Sequence, residues 1–180
     1  MALFTGKGDK GTTKLFDSAP GEAGRITKAS AVPEALGALD ELNAFLGLVK
    51  MHPGAPERIT SGLRLMQEVL FIVQAEVAGA DKRVAEGTAE ALANTVNEIE
   101  KEIPPITGFS IAGGTELSAK LDVARTIARR AERRVTAAEL AGRPISDSAK
   151  AFLNRLSSLL FAYARLANHQ AGIKEENPRY

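Results

Sequence analysis

The 180-residue chain contains no cysteine and no tryptophan, only two histidines, and few aromatic residues of any kind (5%). Without cysteine there is no disulfide framework, no thiol nucleophile and no thiolate metal site, a pattern suited to a reducing compartment. His52 and His169 are far apart in sequence and fall at or near expected helix ends. Neither reads as a ligand or a base, and no Ser–His–Asp grouping, Glu-x-x-His pair or metal-ligand cluster accompanies them. An excess of one charge is missing too: 23 Lys and Arg face 22 Asp and Glu, for a net charge of +1. No global field draws in nucleic acid or an anionic membrane, so any basic site must be local. No apolar run approaches the roughly 20 residues of a membrane-spanning helix. The opening Met-Ala-Leu-Phe-Thr-Gly-Lys lacks the apolar core of a secretory signal. The expectation is a cytoplasmic protein with no membrane and no nucleic-acid partner.

What is present is helical periodicity. The length predicts one domain over residues 1–180, with a leader over 1–31, a helical body over 32–172 and a tail over 173–180. The leader is rich in Gly, Lys, Thr and Asp and has no period, so it reads as a long functional loop. A first helix carries Ala35, Leu39, Leu42, Leu46 and Val49, with Pro33 in its first turn and a stop at His52-Pro53-Gly54. A second begins near Pro56 and repeats Ile59, Leu63, Met66, Leu70, Val73 and Val77. A third holds Leu92, Val96, Ile99 and Ile103, ending at Pro104-Pro105. A fourth runs from Thr115, a good N-cap, to Ala141 before Gly142 and Pro144. Its stripe is Leu117, Leu121, Ala124, Ala128, Ala131, Val135 and Ala138. A fifth starts near Ser146 and carries Ala149, Phe152, Leu156, Leu159, Tyr163 and Leu166. Spacing of four and three on every helix predicts an all-α protein built as a bundle. Only Phe109-Ser110-Ile111 looks extended. The fifth helix has a second apolar stripe, Leu153, Leu160, Phe161 and Ala164, which fits a central helix, a subunit interface, or both.

Two stretches carry chemistry. Thr5-Gly6-Lys7-Gly8-Asp9-Lys10-Gly11-Thr12-Thr13 has glycines that let backbone N–H groups approach an anion, lysines that add charge and threonines that add hydroxyl donors. It is not a Walker A loop, because Thr12-Thr13 stands where Lys-Ser/Thr is needed. A flexible glycine loop is the plainer reading. The fourth helix carries Arg125, Arg129, Arg130, Arg133 and Arg134 with Glu132 as the single acid among ten residues. At 100° per residue, Arg125, Glu132, Arg129 and Arg133 occupy a sector about 100° wide, with Arg125 and Glu132 bordering the apolar stripe. Such a row is commonly a solvated face with pairs such as Arg129–Glu132. The imbalance of five to one points instead to an anionic partner, and guanidinium forks suit phosphate. Arg25 and Lys28 add a third basic element. Asp40-Glu41-Leu42-Asn43 places acids beside the seam of the first helix, as surface solvation or as a partner for a core-bordering arginine. Phosphate-binding groups without acid–base machinery suit a displacement that needs no proton transfer. A nucleotide sensor, or an RNA-binding bundle using the arginine stripe, is the alternative from another class; the low net charge and lack of aromatics on the fourth helix oppose the RNA reading.

Taken in order, Thr5 to Gly11, Arg25-x-x-Lys28, Gly37-x-x-Asp40-Glu41-Leu42-Asn43, Gly113-Gly114-Thr115, Ala124-Arg125-Thr126-x-x-Arg129-Arg130-Ala131-Glu132-Arg133 and Asn154-Arg155-Leu156-Ser157 closely resemble the PduO-type ATP:cob(I)alamin adenosyltransferases. The match runs from about residue 3 to residue 168. The resemblance implies a homotrimer of five-helix, left-handed up-and-down bundles with a long N-terminal nucleotide-binding loop and active sites between subunits. It implies transfer of the 5′-deoxyadenosyl group of ATP to cobalt, with release of triphosphate. It implies that Thr5, Gly6, Lys7, Gly8, Asp9, Thr13, Arg25, Lys28, Arg129, Arg130, Glu132, Arg133 and Asn154 bind ATP, with Mg²⁺ carried by the phosphates. Asp40 is implied to pair with Arg125 across a helix contact or a subunit boundary, and Phe109 to pack against the corrin ring near its lower axial face. With Arg129, these three form the implied catalytic set. A reductase and a B12-dependent acceptor enzyme are the implied transient partners. The same bundle also admits a nucleotide-dependent transferase with another acceptor. One departure is Ala112, where the family often has proline before the glycine pair, and it predicts a looser Phe109 loop.

Overall fold

Five helices form where the spacing of four and three predicts them: α1 (Ala31–Lys50), α2 (Glu57–Val77), α3 (Thr88–Glu102), α4 (Glu116–Leu140) and α5 (Asp147–Gln170). The computed structural model describes residues 4–180, apart from the side chain of Glu22. Local chemistry sets the helix ends. The Thr115 hydroxyl accepts the Ser118 N–H at 3.0 Å, so the predicted N-cap is made, and the Ser146 hydroxyl caps α5 likewise by accepting the Ala149 N–H at 3.2 Å. Helices α2, α4 and α5 close with one device. Gly79, Gly142 and Gly172 take positive φ, and the residue after each donates back across the turn: Ala80 N–H to Ala75 O, Arg143 N–H to Ala138 O, and Ile173 N–H to Asn168 O.

Nearly all the predicted stripe residues are buried, with Val96 half-buried, and they join one apolar cluster. Each fully buried leucine or isoleucine contributes about 1.5–3 kcal/mol relative to exposure. Neighbours in space run α2, α1, α4, α5, α3, and α5 also touches α2. Helix α5 therefore lies among three others, and Leu153, Leu160 and Ala164 of its second stripe are buried within a single chain. The central-helix reading accounts for them without a partner. Phe161 is left half-buried at the edge.

The leader departs from expectation. It contains a two-stranded antiparallel hairpin, β1 (Thr12–Lys14) with β2 (Arg25–Thr27), in which Thr13 faces Ile26. Strands of three residues are too short for an alternating pattern to register. Phe109 to Ile111, expected to be extended, forms no strand; its backbone bonds to the tail instead.

Candidate active site

The implied phosphate loop is built by two successive turns, Asp9 N–H to Gly6 O at 3.2 Å and Gly11 N–H to Gly8 O at 3.1 Å. Gly6 and Gly11 sit at φ of 69° and 75°, where a side chain would be strained. The Lys28 backbone N–H bonds to Gly11 O, and a Cβ on Gly8 would stand 3.1 Å from Lys28 Nζ. The ammonium thus lies against the glycine turn. Arg25 serves the loop itself. Its guanidinium donates to Thr12 Oγ1 and O at 2.8 Å each and to Lys7 O at 2.6 Å. These bonds make it a brace of the loop that the resemblance implies as nucleotide-binding.

On α4 the arginines divide into paired and unpaired. Arg130 bonds to Glu41 of α1, and Arg134 lies 3.8 Å from Glu34 of the same helix. Arg125 donates from Nε to Asp122 at 3.0 Å and stands 5.7 Å over the ring of Phe161. Among the described residues, Arg129 and Arg133 have neither a hydrogen bond nor an ion pair. The expected Arg129–Glu132 pair is not made, because Glu132 accepts from Asn154 Nδ2 at 3.1 Å across α4 and α5. Two implied nucleotide ligands are thereby brought together.

Within the chain, Arg125 takes its acid from one turn back on its own helix, and Asp40 is exposed beside Gly37, Phe71 and Gln74. The helix-contact form of the Asp40–Arg125 pair is therefore not made. The reason is angular: Glu41, about 100° further round α1, reaches α4, while Asp40 faces the α2 side. The boundary form needs a second chain.

Arg125, Arg129 and Phe109 line one open groove of about 570 Å³, with Ile106, Ser157, Ser158 and Phe161. The serines and Phe161 become visible as site residues only once α5 is packed on α4. Phe109 is 77% exposed at the groove edge, so its ring is presented to whatever enters. The loop around Ala112 is tied at several backbone points. Asn168 donates to Gly113 O at 2.9 Å and accepts the Thr115 N–H at 3.0 Å. Asn177 Nδ2 donates to Phe109 O at 2.9 Å and the Ile111 N–H to Glu176 O at 2.8 Å. Arg165, 6% exposed, clamps the carboxylate of Glu175 at 2.7 and 3.1 Å and the carbonyl of Pro104 at 2.7 Å. The tail over 173–180 thus straps this loop through Glu175 to Asn177.

A groove with the unpaired guanidinium of Arg129 at one wall and the exposed ring of Phe109 at its edge suits a substrate pair, one polyanionic and one broad and apolar. The cobalamin adenosyltransferase family matches residues 3–167. The chain belongs to that family. It is 36% identical to a corrinoid adenosyltransferase of Bacillus subtilis over 96% of this chain and 90% of that one. It is 35% identical to the corrinoid adenosyltransferase PduO of Salmonella typhimurium, of whose length it spans 55%. The fold matches a variant PduO-type ATP:corrinoid adenosyltransferase from Lactobacillus reuteri, complexed with cobalamin and ATP, at a TM-score of 0.89 and 28% identity, over 99% of this chain and 97% of that one.

Proposed function

We propose that this adenosyltransferase joins the 5′-carbon of ATP to the cobalt of cob(I)alamin in a groove walled by Arg129 and Phe109. The observation that carries the residue assignment is their shared groove, with Arg129 unpaired and Phe109 bare. The Co(I) electron pair attacks C5′, a cobalt–carbon bond forms, the C5′–O bond breaks, and triphosphate leaves with that bond's electrons. Cob(I)alamin needs no base to act as the nucleophile. Charge grows on the departing oxygen, and cationic groups aimed there lower the barrier. Arg129, Arg133, Lys7 and Lys28 supply that charge, Gly6 and Gly8 supply close backbone, and Glu132 with Asn154 orients the nucleotide. Among the described residues no cluster of three His, Asp or Glu side chains is ready to hold a metal. In this reading Mg²⁺ is carried by the phosphates of ATP. Phe109 and Phe161 offer the corrin a dry wall, which protects the reduced cobalt from protons and oxidants. Phe109, by crowding out a lower axial ligand, eases reduction of the Co(II) precursor.

Among the described residues, neither Arg129 nor Arg133 is bonded to the leader of its own chain. We assign the leader and the arginine row of one site to two neighbouring chains of a homotrimer, with Asp40 of one chain facing Arg125 of the next. Cytoplasmic placement and a reductase partner belong to the same reading.

The test mixes two inactive variants, Arg129→Ala and Lys7→Ala, after denaturation and refolding together. Mg-ATP and reduced cobalamin should then yield a light-sensitive cobalt–carbon product and triphosphate, restored in the mixture through sites with one intact contributor of each kind. No restoration overturns the shared site. ATP cleaved to phosphate and diphosphate by the wild type, with no alkylated cobalt, overturns the reaction.

A further inference from the structure

The leader must be held in register with the bundle if it is to meet a nucleotide. The anchor lies at the α2 end. Phe16 N–H donates to Ala78 O at 3.0 Å. The turn Leu15–Ser18, closed by Leu15 N–H to Ser18 Oγ at 2.9 Å, presents Asp17 to the bundle. Arg143 then grips both carboxylate oxygens of Asp17, at 2.6 and 3.3 Å, across 126 residues of sequence. Both sides of this contact are placed by helix closures. Arg143 is the residue that donates back across the Gly142 turn of α4. Asp17 packs on Gly79, the closing glycine of α2, where an added Cβ would lie 2.3 Å from the carboxylate carbon. The site is unfavourable for a lone anion, because the C-terminal carbonyls of α2 repel it. Arg143, only 15% exposed in its side chain, makes the approach possible.

We propose that Asp17, Arg143 and Gly79 form a latch that positions the leader for nucleotide binding, with Arg143 and Asp17 as positioning residues that touch no substrate. The proposal rests on the ATP-binding role of the leader argued above. The latch needs a bidentate fork on one side and a bare Cα on the other, so a lysine at position 143 or an alanine at position 79 weakens it.

The test compares Arg143→Ala, Asp17→Asn, their double variant and Gly79→Ala with the wild type. Each single change should raise KM for Mg-ATP roughly ten-fold, the value of a bidentate charged contact. The values of kcat and of KM for the corrinoid should stay within about two-fold, and the double variant should be no worse than either single. A second readout is independent of activity. Trypsin should cut the leader at Lys7, Lys10 or Lys14 faster in the variants, with the helical content by circular dichroism unchanged in Arg143→Ala and Asp17→Asn. An unchanged KM for ATP, additive singles, equal rises in both KM values, or wild-type rates of leader cleavage would each overturn the latch. A wild type that binds no ATP while the cleavage rates shift as expected would overturn the nucleotide role and leave the anchor standing.

Discussion

Arg130 and Glu41 close an ion pair between α4 and α1, while Arg129, the neighbour of Arg130 on α4, is left without an acid. Adjacent arginines of one motif thus have different situations. A paired guanidinium has part of its charge already spoken for, and an unpaired one is open to phosphate. Arg129→Ala should reduce kcat/KM by about 10²–10³, as loss of a charge-stabilising donor does. Its unfolding free energy should change by less than about 0.5 kcal/mol, because the residue is exposed and unpaired. Arg130→Ala should show the smaller activity loss of the two, with up to about 1 kcal/mol of destabilisation from the partly exposed pair. Steady-state kinetics with urea melts on both variants check the contrast, and equal activity losses would contradict it.

Asn168 ties the Phe109 loop at two backbone points, Gly113 O and the Thr115 N–H, from a buried position on α5. Asn168→Ala leaves both groups short of a partner, which costs about 1–3 kcal/mol. The loosened loop should raise KM for the corrinoid while KM for ATP stays near the wild-type value. The converse pattern would place the loop on the nucleotide side.

Gly62 of α2 faces the phenol of Tyr163, and an added Cβ would fall 2.2 Å from its Oη. Tyr163 is 2% exposed, and burial raises its pKa. Gly62→Ala should destabilise the bundle by about 1–3 kcal/mol despite the better helix propensity of alanine. Tyr163→Phe in the same chain should recover part of that loss by removing the obstructing oxygen. Thermal unfolding of the two singles and the double measures the coupling.

The Asp17 carboxyl is held below its ordinary value of 3.8, chiefly by its hydrogen bond from Arg143. A group lowered in the folded protein contributes in full above its unfolded pKa and loses that contribution as pH falls through the folded value. The Asp17 contact should therefore be constant between about pH 5 and 9, well above the lowered Asp17 value. Leader proteolysis at the two ends of that range should give the same ratio of Arg143→Ala to wild-type rates. A ratio that collapses toward one at the acid end would show that the carboxylate is already protonated there.

Residue type and spacing alone determined the five helices, because burying a stripe at 3.6 residues per turn admits one placement for Leu39, Leu70, Leu121 or Leu156. They also determined the cap at Thr115, where a hydroxyl satisfies a free N–H three residues on. The motif series was legible enough to point to the family and to single out Arg129, Phe109 and the glycine leader. Contacts made at long range were not legible. Whether an arginine is paired depends on which acid the neighbouring helix turns toward it, so only packing separated Arg130 with Glu41 from Arg129 with none. Asp122 was within reach of the three-residue helix-pairing rule, but Asp40 drew attention by its motif. The brace by Arg25, the strap of Glu175 to Asn177 and the latch of Asp17 on Arg143 join residues 10 to 126 positions apart. No local pattern encodes such bonds. They exist because helix closures and loop turns bring specific donors within about 3 Å of acceptors, and only the folded chain decides that.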